Sequence, residues 1–83
     1  MAAIDDAVAQ MASLALAAYK AGRHDDAIDA FTKAIAKQDS AVLRKNRAAV
    51  KAAQQDWAGA EADLTAALAM SPPAALKGRV LLN

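Results

Sequence analysis

His24 is the single histidine of the chain, and Asp25 and Asp26 follow it directly. An imidazole beside two carboxylates is the natural place to look for metal binding or proton transfer. A zinc site takes three or four ligands at helical or loop spacings, and this chain offers no second His and no Cys. A general base needs a nucleophile or an acidic proton within hydrogen-bond reach, and the pattern signals none. There is no glycine-rich phosphate loop and no paired-carboxylate arrangement suited to acid–base work. His24 therefore reads as structural. The chain is expected not to be an enzyme, and to carry no metal and no cofactor.

The second chemically suggestive group is cationic. Arg44, Arg47 and Lys51 recur at steps of three and four, with Lys45 and Asn46 beside them. Such steps place side chains on one side of a helix. Two readings of the stripe stand side by side: a solvated face, or, for Arg47, a structural partner to a carboxylate on a neighbouring helix. Lys45 and Asn46 suit a carboxylate ligand, one as a point charge and the other as a hydrogen-bonding pair. The stripe has no interleaved aromatics and the net charge is only +1, so nucleic acid is not an expected partner.

Those residues must be held by helices. Ala supplies much of the apolar content; it buries little surface but has the best helix propensity. A sheet would want more β-branched and aromatic residues. Ile4, Val8, Met11, Ala15 and Ala18 step by four and three, with Leu14 and Tyr19 widening the stripe, so a first helix is expected over Ile4 to Ala21. Gly22 ends it. A second helix is expected over Asp25 to Lys37, with Asp25 as cap or first-turn acid and Ala27, Ile28, Phe31, Ala34 and Ile35 inward. Ser40 caps a third over Ala41 to Gln54. The fourth runs from Trp57 to about Met70, with Ala60, Leu64, Ala67 and Leu68 inward. Ser71-Pro72-Pro73 is a stop, and a short fifth helix is expected over Ala74 to Asn83. No apolar run is long enough to span a bilayer. The N-terminus lacks the basic start of a secretory signal. With no Cys, the expected setting is cytoplasmic, away from membranes.

The helices repeat. Residues 21–36 and 54–69 superpose at an offset of 33, with Ala27 on Ala60, Phe31 on Leu64, Thr32 on Thr65, Ala34 on Ala67 and Ile35 on Leu68. His24 falls on Trp57. A self-match of this period is the mark of a helical solenoid. The small and large residues at these slots resemble the tetratricopeptide repeat, over roughly Val8 to Pro72. The resemblance implies an all-α solenoid of helical hairpins in a single domain spanning 1–83: a first hairpin over 8–40, a second over 41–73, and a capping or third-repeat helix over 74–83.

Within that family, the second unit, LRKNRAAVKAA followed by DWAGAEADLTAALAMSP, is similar to repeats of co-chaperones. The resemblance implies a non-catalytic adaptor whose concave groove takes a peptide, with a chaperone C-terminal tail as the partner class. In those proteins an Asn at the place of Asn46 helps clamp a terminal carboxylate. The clamp also takes a Lys and an Asn where Ala12 and Leu16 stand here, so it is incomplete; Lys77 and Arg79 are candidates for its further cations. The expected peptide-binding residues are Ser13, Leu16, Tyr19, Lys20, Lys45, Asn46, Ala49 and Arg79, Tyr19 reading more as packing than as a ligand platform. The competing expectation is a self-associating structural unit, a homo-oligomer, or a stretch of a longer repeat scaffold. It rests on apolar residues left at both ends.

Overall fold

The computed structural model describes residues 5–70, and all their regular structure is helical. Four helices follow one another: α1 (Asp6–Lys20), α2 (His24–Lys37), α3 (Ala41–Ala53) and α4 (Trp57–Met70), joined by three-residue connections. Packing follows chain order, α1 on α2, α2 on α3 and α3 on α4. The expected helix over Ala74 to Asn83, with Ile4, Pro72 and Arg79, lies outside the described residues.

Local chemistry sets the boundaries. The Asp5 carboxylate accepts from the Ala7 amide at 2.8 Å and opens α1. Helix α1 closes with Gly22 at φ 84°. There the Gly22 amide donates to the Tyr19 carbonyl and the Arg23 amide to the Ala18 carbonyl, the paired bonds of a Schellman end. Helix α2 starts one residue before Asp25, which lies in its first turn with Asp26. The Ser40 hydroxyl accepts from the Leu43 amide at 3.1 Å and opens α3. Helix α3 ends with the same paired bonds, from Gln55 to the Ala52 carbonyl and from Asp56 to the Lys51 carbonyl. Here the left-handed position is held by Gln55, at φ 65°. The Asp56 carboxylate then accepts from the Gly59 amide at 3.0 Å and opens α4.

The core lies mainly between the first three helices. Val8, Ala15, Ala18, Ala27, Phe31, Ala34, Leu43 and Val50 form one buried cluster, with Met11, Ala12, Tyr19, Ile28, Ala30 and Ile35 packed against it. Phe31 is completely buried. Ala27 and Ala60 are both buried, which allows close helix approach where a larger side chain would hold the backbones apart.

Helix α4 departs from expectation. Leu64 and Leu68 do not face inward: they are 45% and 64% exposed, and Trp57, the counterpart of half-buried His24, is 64% exposed. The buried residues of α4 are Ala60, Asp63 and Ala67. Helix α3 covers that strip, whereas no described helix lies over the leucines. Leu14 is likewise exposed rather than part of the α1 core stripe, and so is Val42 of α3.

Candidate functional site

Asp63 is the one buried charged residue among those described, at 2% exposure. It sits on α4 between Ala60 and Ala67, and three cations of α3 converge on it. Arg47 donates from Nε at 2.8 Å and from Nη2 at 2.6 Å. Lys51 Nζ lies 3.1 Å from the carboxylate and Arg44 Nη1 lies 3.6 Å away. Arg44 also grips Asp39 through Nε and Nη2, the latter at 2.8 Å. Arg47 extends to α2, donating from Nη1 to the Thr32 hydroxyl at 3.0 Å. One guanidinium thus ties α2, α3 and α4 together.

This corrects the solvated-face reading of the basic stripe. Arg44, Arg47 and Lys51 are structural, their side chains only 25%, 14% and 20% exposed. Burial pushes the Asp63 carboxyl pKa up, but the hydrogen bonds and charges of Arg47 and Lys51 outweigh it. The carboxyl is held below its ordinary range. The hydrogen bond from Arg44 lowers Asp39 in the same way, more weakly opposed by burial.

Lys45 and Asn46 are the polar residues of α3 that this network leaves out. Lys45 is exposed and Asn46 half-buried. Lys45 lines an apolar cleft of about 340 Å³ with Ala41, Leu64, Ala67 and Leu68. Ser13 lies in a different cleft, on α1, with Asp6, Ala9, Gln10 and Leu14. The structure therefore does not bring Ser13 and Lys45 into one pocket. Leu16, Lys20 and Ala49 are exposed. Tyr19 is half-buried against the core, its ring centroid 5.4 Å from that of His24. Both rings plug the turn between α1 and α2.

Among the described residues no group of three or more His, Cys, Asp or Glu is placed to hold a metal ion. No described helix is long and apolar enough to cross a membrane. No protein-family model matches this sequence, and no curated protein and no solved structure matches it significantly.

Asp63 is not among the expected site residues, although its position carries a signal. The offset of 33 places it on Ala30, a residue packed against the core of the first hairpin. A carboxylate at a core position calls for cations, and the helix before it carries three at matching steps.

Proposed function

We propose that the chain is a tetratricopeptide-like repeat module of two hairpins that holds a peptide segment of a partner without catalysis. The binding row runs along the first helix of each hairpin: Ser13, Leu16 and Lys20 on α1, and Lys45, Asn46 and Ala49 on α3. The observation that carries this reading is selective pairing on α3. Arg44, Arg47 and Lys51 are all engaged with Asp63, whereas the neighbouring Lys45 and Asn46 keep their polar groups available. Ser13 and Asn46 share a repeat position, as do Leu16 and Ala49, and none of the four belongs to the buried core. An ammonium and a carboxamide beside small apolar residues suit an extended peptide bearing a carboxylate.

The test compares short peptides that end in a free carboxylate with their amidated versions, by fluorescence anisotropy. Loss of a charge-assisted hydrogen bond costs about 1.5–3 kcal/mol. Lys45→Glu is therefore expected to weaken carboxylate-peptide binding at least tenfold with helical content unchanged. Equal affinity in both proteins overturns the reading. A second reading, self-association, draws on the exposed Trp57, Leu64 and Leu68 of α4.

A further inference from the structure

The cleft between α3 and α4 has a filled counterpart inside the protein. Its lining residues, Ala41, Lys45, Leu64, Ala67 and Leu68, correspond at the offset of 33 to Val8, Ala12, Phe31, Ala34 and Ile35. All these counterparts belong to, or pack against, one buried cluster that also takes in Leu43 of α3. Leu43 is 1% exposed. A wall of this composition therefore accepts a leucine side chain in the first hairpin. In the second hairpin Leu64 and Leu68 of the same wall stand exposed.

The two walls differ in character at one slot. Lys45 stands where the first wall has Ala12, and every other pair is apolar on both sides. A lysine on an apolar wall lays its methylene stem along it and keeps its ammonium in water. Arg44, Arg47 and Lys51 are engaged with Asp63; Lys45 is exposed and stays out of that network. The second wall thus suits an apolar side chain and an anion held close together.

We infer that this cleft takes the last residue of a partner peptide, and that this residue is a large aliphatic one. Its side chain lies on Leu64, Ala67 and Leu68, and its α-carboxylate meets the Lys45 ammonium. The inference rests on the peptide-binding reading above and adds the identity of the terminal residue. Elementary chemistry narrows the choice. An internal Asp or Glu carries its charge at the tip of its own side chain and brings no apolar group. An internal Leu brings no charge. A C-terminal Leu, Ile or Met has both on one Cα. A C-terminal Asp would press a second carboxylate onto the leucines, where it loses water and gains no partner.

Fluorescence anisotropy on the full chain tests it with four labelled peptides that differ only at the end. They finish in Leu with a free carboxylate, Leu amidated, Gly with a free carboxylate, and Asp with a free carboxylate. The Leu carboxylate peptide is expected to bind about tenfold tighter than each of the others. Leu68→Ser, at an exposed position outside the core, should shrink the ratio of Leu-ending to Gly-ending affinity to about threefold or less. Lys45→Gln should bring the Leu acid and the Leu amide together. Equal affinity of Leu-ending and Gly-ending peptides, the result if another stretch of this chain fills the cleft, overturns the inference and leaves peptide binding standing. Equal affinity of the Leu acid and the Leu amide in the wild type removes the role of Lys45 and overturns it too. Binding of none of the four overturns both readings. Leu64 and Leu68 methyl resonances that shift with protein concentration alone give the cleft to a second copy and also overturn it.

Discussion

Arg47 closes on Asp63 through two near-parallel hydrogen bonds, of 2.8 and 2.6 Å, across the seam between α3 and α4. The pair is buried, so its two halves are not worth equal amounts when removed singly or together. Taking away Asp63 strands the cations gathered on it, at a cost of about 3–5 kcal/mol, whereas Asp63 without Arg47 keeps Lys51 Nζ at 3.1 Å. We expect Asp63→Ala to lower unfolding free energy in urea by about 3 kcal/mol or more, and Arg47→Ala, which leaves Lys51 on the carboxylate, by about 1–3 kcal/mol. The double variant should lose less than the sum. Losses below 1 kcal/mol would place the pair among weak surface ion pairs.

Acid should weaken the same seam. The Asp63 carboxyl has a lower pKa folded than unfolded, so the unfolded chain binds more protons in that interval and stability rises with pH. The contribution is complete above the unfolded value, about 3.9, and is lost as pH falls through the folded value. Asp39 shifts in the same direction but is exposed and adds little. Urea midpoints measured from pH 6 down to pH 2 should fall steeply below about pH 4 in the wild type and more shallowly in Asp63→Asn. Identical slopes would contradict the assignment.

The end of α3 carries a removable strain. Gln55 holds φ 65°, where Gly22 holds the equivalent place after α1. A left-handed backbone costs a residue with a Cβ about 1–2 kcal/mol, against which stands the greater unfolded-state freedom of glycine. Gln55→Gly is expected to stabilise by about 0.5–1 kcal/mol, and Gly22→Ala to destabilise by about 1 kcal/mol. Thermal unfolding of the two variants checks both signs.

Gly59 is a counter-example to helix propensity. Alanine there should add about 1 kcal/mol. Its Cβ, however, would overlap the Asp56 carboxylate that caps the helix through the Gly59 amide, and a lost cap costs about 1 kcal/mol. Gly59→Ala alone should change stability by less than about 0.5 kcal/mol, these two effects offsetting each other. In an Asp56→Ala background it should stabilise by about 1 kcal/mol. Equal gains in both backgrounds would show that the cap tolerates the Cβ.

The parts legible in the sequence are those decided within a few residues. Gly22, Ser40 and the first-turn acids fix helix ends through local chemistry, and the boundaries fall within two residues of expectation. Phe31 with Ala27 and Ala34 reads as core because helical steps place all three on one face. Periodicity says which face of a helix is apolar; it does not say whether a neighbour covers that face. That is why Leu64 and Leu68, on the slots of Phe31 and Ile35, read as buried and are not. The role of Arg44, Arg47 and Lys51 was half legible: their common side followed from spacing, while the buried carboxylate that draws them in sits on another helix. Gln55 in a left-handed backbone followed from nothing local, since glutamine seldom takes that conformation.

The most direct test of a binding row along α1 and α3 is an amide chemical-shift titration of the full chain with a peptide ending in a free carboxylate. The expected result is saturable shifts centred on Ser13, Leu16, Lys45, Asn46 and Ala49, much reduced in Lys45→Glu. Absence of saturable shifts, or shifts confined to Trp57, Leu64 and Leu68, would contradict it.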